Sequence, residues 1–213
     1  MGNEMRLRDL KVAILVADGF EQVELEEPRL ALDKAGAQTK IVSPARAEVQ
    51  AWKHYDKGDT FPVDVSLDGA SAEQFDALML PGGVANPDQL RALPAAVEFV
   101  RAFFDAGKPV AAICHAPWTL INAGVVRDRT LTSWPSLKAD LMNAGALWVD
   151  QPVVTDNGLV TSRKPADIPA FNEKMIEEFA EGRHERQAHM VHRRAMQARQ
   201  RENRAPTDRS RLS

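Results

Sequence analysis

Strand-like and helix-like segments alternate along the first 182 residues, and this alternation predicts an α/β fold with parallel strands and helices on both faces. The strand-like segments, such as Lys11–Ala17, are continuous β-branched and aliphatic runs, which are typical of strands buried on both faces. Turn residues end them: Asp18-Gly19 follows the first run, and Pro81-Gly82-Gly83 follows Phe75–Leu80.

Helix signals fill the intervals between these strands. Gly36 and Gly107 stand where glycine commonly ends a helix, and Pro94 suits the first helical position. The elements predicted after the first strand are helix Glu21–Ala35, strand Thr39–Ser43, strand Phe75–Leu80, a helix from Pro94, strand Pro109–Ile113 and a short helix near Pro117–Ala123.

Three further segments are assigned from their turns and periodicity. Val153–Ser162 has two β-rich runs around Asn157-Gly158, which predicts a β-hairpin. Apolar residues at helical spacing from Ile168 to Phe179 predict a closing helix. The polar stretch Ala45–Asp64 is long for a loop, which suggests a lid, an extra hairpin or a partner contact, and we expect its His54 to line a pocket mouth.

The composition is that of a soluble globular protein, with 44% hydrophobic and 27% charged residues in 213. No apolar stretch approaches the roughly 20 residues that span a bilayer, and the N-terminal segment lacks a signal-peptide pattern. A single cysteine cannot form an internal disulfide. We therefore expect a cytoplasmic protein without a membrane partner.

The charge divides the chain near residue 183. Nine arginines and three acidic residues give Arg183–Ser213 a net charge of +6. Since the whole chain has a net charge of −3, the first 182 residues have a net charge of −9. We predict an α/β domain over residues 1–182 and a basic extension over 183–213 that is helical at its start. Its arginines scatter around a helix without interleaved aromatic residues, so nucleic-acid binding is not expected. We interpret His184, His189 and His192 as surface residues and predict no metal site.

Cys114 is the strongest candidate for chemistry. It lies between the strand Pro109–Ile113 and the helix near Pro117, at a strand end where α/β sheets bind ligands. A sharp strand-to-helix turn exposes a nucleophile, and the helix N-terminus favours its thiolate. A buried cysteine that merely fills space is the alternative, and the adjacent His115 argues against it.

Two other strand ends face the same point. Glu21 is either a first-turn acid that complements the helix dipole or a hydrogen-bonding partner of the sulfur. Gly82 and Gly83 are either turn residues or a bare backbone that binds an oxyanion. The convergence of three loops favours the functional interpretations.

Several motifs resemble the ThiJ/PfpI superfamily, in particular its intracellular-protease and general-stress-protein branch. They are Phe20-Glu21-x-x-Glu24-Leu25, Leu80-Pro81-Gly82-Gly83 and Ala112-Ile113-Cys114-His115-Ala116-Pro117, supported by Trp134-Pro135 and Thr161–Asp167. The resemblance runs from about Leu10 to Gly182 and does not include the basic extension.

The resemblance implies a flavodoxin-like sandwich, a homodimer or higher oligomer, and Cys114 as a nucleophile that needs no cofactor. It implies that a protonated Glu21 donates a hydrogen bond to the Cys114 sulfur, and that the backbone N–H groups of Gly83 and His115 bind an oxyanion. It further implies that His115 is a base oriented by a carboxylate of the neighbouring subunit. Asp88 matches that carboxylate but is one methylene shorter than the glutamate usual there.

Four functions are compared. The first is a stress-response enzyme that processes small aldehydes or their protein adducts, as a glyoxalase or deglycase, with Glu21 or His115 moving protons. The second is cysteine-dependent peptide hydrolysis by the same residues, and the third is a non-enzymatic redox sensor. A glutamine amidotransferase is not expected, because Ser162-Arg163-Lys164-Pro165 stands where a His-x-Glu pair is required.

Overall fold

The computed structural model describes residues 6–184 and centres on a seven-stranded sheet. The strands of the chain are β1 (Lys11–Leu15), β2 (Phe20–Glu21), β3 (Gln38–Ser43), β4 (Glu48–Lys53), β5 (Asp56–Pro62), β6 (Val65–Ser66), β7 (Ala77–Leu80), β8 (Val110–Ile113), β9 (Thr130–Leu131), β10 (Leu147–Trp148), β11 (Val153–Asp156) and β12 (Leu159–Ser162). The helices are α1 (Gln22–Lys34), α2 (Ala85–Ala92), α3 (Pro94–Asp105), α4 (Pro117–Asn122), α5 (Lys138–Asn143) and α6 (Ile168–Glu181).

The central sheet is parallel except at one edge. Its strand order is β11-β12-β8-β7-β1-β3-β6, and only β11 runs antiparallel, paired with β12. The parallel strands therefore place their carboxyl ends along one edge of the sheet, where the turns after β1, β7 and β8 meet. Two short sheets stand apart: β2-β4-β5 and β9-β10.

Helices cover both faces because the central strands are apolar on both. In β1, Val12 and Ile14 pack in one core with α1 and α6, whereas Ala13 and Leu15 pack in the other with α2 to α5. All four of these residues are fully buried. The predicted fold class is confirmed: a mostly parallel sheet between two helical layers, with a hairpin and a helix closing the described chain.

The prediction was incomplete between β3 and α3. Ala45–Asp64 is an extra antiparallel hairpin, β4–β5, joined to β2 beside the main sheet. The helix α2 was not predicted at all, since its eight residues carry only Asn86, Pro87 and Leu90 as a buried face. Pro28 lies inside α1 and is buried there without ending the helix.

The basic extension from residue 185 onward lies outside the described residues, so the predicted boundary between residues 182 and 183 stays a prediction. Across residues 6–184, no helix is both long enough and apolar enough to cross a membrane.

Candidate active site

Cys114 sits on a strained turn at the carboxyl end of β8. Its φ of +62° lies in the left-handed region, which is unfavourable for residues other than glycine. Contacts with the surrounding structure must therefore stabilise this conformation. Two backbone hydrogen bonds hold it: its N–H donates to Ser162 O at 3.0 Å, and its carbonyl accepts from Trp134 N–H at 2.9 Å. The turn ends where α4 begins at Pro117, so the thiol projects at the sheet edge as the sequence predicted.

Polar groups surround the Cys114 sulfur. The His115 Nδ1 atom lies 3.2 Å from Sγ. The backbone N–H groups of His115 and Gly83 both interact with the sulfur and favour its ionised form. Gly83 and His115, whose N–H groups the resemblance assigns as oxyanion donors, lie on the turns after β7 and β8.

Glu24, and not Glu21, is the carboxylic acid beside the thiol, which corrects the role given to Glu21. Glu24 is fully buried one turn into α1, and its Oε2 accepts the Gly82 N–H at 2.9 Å. Its Oε1 is buried without a hydrogen-bond partner in the described chain, so it is the oxygen free to hold a proton. The sequence signal was the position of Glu24 on the buried stripe that also includes Leu25, Pro28 and Leu32.

Burial disfavours ionisation of both the Glu24 carboxyl and the Cys114 thiol. Desolvation, opposed by contacts with Cys114 and Gly82, raises the pKa of Glu24 to about 8. Burial, and then the nearby Glu24, raise the pKa of the Cys114 thiol well above its usual value, contrary to the lowered pKa expected from the sequence. The pair therefore carries at most one negative charge near neutral pH. The N–H groups of Gly83 and His115 act in the opposite direction on the thiol pKa and partly offset the effect of burial.

Two glycines allow this close packing. A Cβ on Gly82 would lie 2.6 Å from Glu24 Oε2 and 2.7 Å from Cys114 Cβ. A Cβ on Gly83 would lie 2.7 Å from Glu21 N, and Gly83 has a φ of +75°. Side chains at either position would push Glu24, Cys114 and the β7 turn apart.

The His115 ring is fixed by its neighbours in a neutral state. Burial lowers its pKa to about 4, so the ring is unprotonated at neutral pH. Trp134 stacks on it, with ring centroids 5.7 Å apart and planes 23° from parallel. Ser136 Oγ lies 3.4 Å from Nε2, the nitrogen that does not face the thiol. Sequence analysis missed Ser136, which carries no signal beyond following Trp134-Pro135 on the turn before α5.

These residues line one cavity of about 580 Å³. All the predicted site residues border this cavity, together with Glu24 and Trp134. The predicted residues are Glu21, His54, Gly83, Asp88, Cys114 and His115. Asp88 is exposed on α2, and no hydrogen bond joins it to His115 within the described residues. One chain thus brings thiol, imidazole and Glu24 into contact, and leaves the proposed third member of the triad at the cavity rim.

Glu21 instead ties the β4–β5 hairpin to the site. Its Oε2 accepts the backbone N–H of His54 at 3.0 Å and lies 3.9 Å from His54 Nδ1. His54 occupies the hairpin turn with a φ of +58° and an exposed side chain. The hairpin therefore forms one wall of the cavity, and Glu21 positions that wall.

Comparison with known proteins agrees with this geometry. The profile of the DJ-1/PfpI family matches residues 10–178. A deglycase of Pyrococcus horikoshii, PH1704, is 44% identical over 167 residues, which cover 78% of this chain and 98% of that protein. YraA of Bacillus subtilis, whose name marks it as a cysteine-protease candidate, is 38% identical over 166 residues, covering 78% and 96%. The crystal structure of Drosophila melanogaster DJ-1β superposes with a TM-score of 0.73 at 27% identity and covers 88% of this chain and 98% of that one.

Proposed function

The chain belongs to the DJ-1/PfpI family, and from this premise we propose that it is a cofactor-independent enzyme that processes small reactive aldehydes or their protein adducts through Cys114. The observation that carries the proposal is the thiol of Cys114 set between an imidazole at 3.2 Å, a buried carboxylic acid and two backbone N–H donors. The names of the deglycase relatives support this substrate class.

The first step is addition of the sulfur to an aldehyde carbon. The sulfur forms a C–S bond as the thiol proton passes to the neutral His115 ring, 3.2 Å away, and negative charge develops on the carbonyl oxygen. Return of that proton to the oxygen gives a hemithioacetal. The Gly83 and His115 N–H groups are the donors available to this oxyanion. With Glu24 protonated near neutral pH, no carboxylate charge opposes the attack.

A two-carbonyl substrate such as methylglyoxal can then be converted without an external oxidant. Moving the proton of the former aldehyde carbon to the adjacent carbonyl carbon, and the hydroxyl proton to the oxygen of that carbonyl, turns the hemithioacetal into a thioester, so one carbon is oxidised and the other reduced. Water then cleaves the thioester to lactate and restores the thiol. His115, neutral at its pKa of about 4, is the base in reach of the sulfur-bound carbon.

The test is methylglyoxal turnover with quantified lactate, comparing the wild-type chain with Cys114→Ala. We expect the substitution to abolish turnover, because the C–S bond can no longer form, and to leave the fold intact, because little core packing is lost. Ser43→Ala is the matched control: it removes a buried hydroxyl, which accepts from Ala45 N–H, at the end of β3, a strand of the same sheet, and away from the cavity. Lactate formation that survives Cys114→Ala would overturn the mechanism.

Peptide hydrolysis is the second candidate, favoured by the Cys114–His115 contact and by the name of YraA. It would require Asp88, or another carboxylate, to reach His115 from a neighbouring subunit. Cleavage of a fluorogenic peptide without methylglyoxal turnover would favour this activity. Absence of both, with selective oxidation of Cys114, would favour a redox-responsive stress protein instead.

A further inference from the structure

Three potential metal ligands meet at the opposite end of the molecule from Cys114. Glu178 and Glu181 lie on the last turn of α6, and His184 follows the helix-ending Gly182. One ligand atom from each of Glu178, Glu181 and His184 lies within 4.8 Å of the other two. His184 is fixed there, because its backbone N–H donates to Gly107 O at 2.7 Å.

Two of these ligand atoms are buried and unsatisfied. Glu178 is only 9% exposed, and His184 Nε2 lies 3.3 Å from Glu178 Oε2. Neither atom has a hydrogen-bond partner in the described chain, so even their mutual contact does not have hydrogen-bond geometry. Buried polar atoms left in this state are unfavourable, and a shared cation would satisfy both. The side chain of His184 is 17% exposed, which also corrects its interpretation as a plain surface residue.

We propose that Glu178, Glu181 and His184 bind a divalent cation of the zinc type. A tetrahedral ion with ligands at about 2.0–2.1 Å separates neighbouring ligand atoms by roughly 3.3–3.4 Å. The observed 3.3 Å between Nε2 and Oε2 matches that separation. Glu181 is exposed and one turn from Glu178, so rotation of its side chain closes the third position.

The donor set also suits a divalent cation. One imidazole nitrogen and two carboxylates leave a fourth position for water, a donor set that zinc accepts.

The position of the site indicates a structural role. Gly107 precedes β8, and Gly158, whose backbone N–H contacts the Glu178 carboxylate, precedes β12. The ligands therefore lie at the amino ends of the parallel strands, whereas Cys114 lies at their carboxyl ends. Zinc bound there would hold the chain leaving α6 against the sheet.

The experiment is calorimetric titration of Zn²⁺ into the full, chelator-treated chain, with thermal unfolding measured in parallel. We expect one ion per chain and a higher unfolding temperature with zinc. His184→Gln and Glu181→Gln should each weaken binding at least about tenfold and remove the stabilisation. Because Glu181 is exposed, its variant stays folded even if the His184 variant does not.

The controls separate this site from other zinc ligands in the chain. A His189→Gln/His192→Gln double variant and a Cys114→Ala variant should both retain the wild-type affinity. Loss of the site in either control, or affinity unchanged by Glu181→Gln, would assign the zinc elsewhere and overturn the proposal. Absence of saturable binding to the wild-type chain would overturn it as well, leaving an ion pair only.

Discussion

Two glutamates three residues apart at the start of α1, Glu21 just before the helix and Glu24 in its first turn, have different surroundings, and these decide their roles. Glu21 is partly exposed and holds the hairpin through His54 N–H, whereas Glu24 is fully buried against Cys114 and Gly82. A sequence motif containing both residues does not say which one faces the sulfur. That choice depends on the rotation of α1 about its axis, which is set by the packing of Leu25 and Leu32 in the core.

Replacing Glu24 by glutamine should change how stability depends on pH. The unfolded carboxyl ionises near 4.5, but the folded one keeps its proton up to about 8, so the wild type loses stability as pH rises through this window. The full shift corresponds to about 5 kcal/mol. Glu24→Gln lacks this loss, so its free energy of unfolding should gain several kcal/mol relative to the wild type between about pH 5 and pH 8.

Urea unfolding at several pH values measures this effect. Glu27→Gln is the matched control, because Glu27 is exposed on the same helix and should keep the wild-type pH dependence. Parallel curves for wild type and Glu24→Gln would show that Glu24 is already ionised in the folded protein at neutral pH.

At the scale of elements, the main strands and helices could be predicted, but the walls of the site could not. Burial of the strand Lys11–Leu15 can be predicted from its apolar composition, and burial of one face of α6 from the helical spacing of its apolar residues. The β4–β5 hairpin has mostly polar residues, and its position depends on tertiary contacts: pairing with β2 and burial of Val49 and Ala51 in the core. Asp88 lies on α2, whose weakly apolar sequence gave no helix signal, so its position at the cavity rim was also hidden.

The turn after β7 should tolerate no side chain at Gly83. Gly83→Ala would combine a left-handed backbone with contact against the Gly19 carbonyl and Glu21 N, so the turn must shift. We expect a loss of stability of about 2–4 kcal/mol, from backbone strain of about 1–2 kcal/mol plus overpacking. Displacing the Gly83 N–H from Cys114 should also lower turnover by roughly 10²–10³.

Gly124→Ala is the matched control for this prediction. Gly124 has a similar φ of +72°, but its nearest foreign atom to an added Cβ is Arg101 Nη2 at 3.6 Å. It should therefore lose only about 1–2 kcal/mol and keep full turnover. Equal turnover in the two variants would contradict the role of the Gly83 N–H as an oxyanion donor.

At the scale of the whole molecule, we expect a second copy of the chain to cover the apolar surface around the cavity. Tyr55, Val84 and Trp134 all border the cavity and are 93%, 59% and 38% exposed. Large apolar side chains gathered at one place on a surface mark an interaction site. Asp88 lies at the same rim, and in one chain it has no hydrogen bond to His115 among the described residues.

We expect Asp88 to act on the His115 of the neighbouring subunit, which a complementation experiment can test. Cys114→Ala and Asp88→Asn should each have little activity alone, but a mixed dimer regains one complete site, with Cys114 from one subunit and Asp88 from the other. Refolding an equal mixture gives about half mixed dimers, so about a quarter of wild-type turnover should return. Without recovery, or with full activity in Asp88→Asn alone, His115 would have to work without this carboxylate. Its orientation would then rest on Trp134 and Ser136 within its own chain.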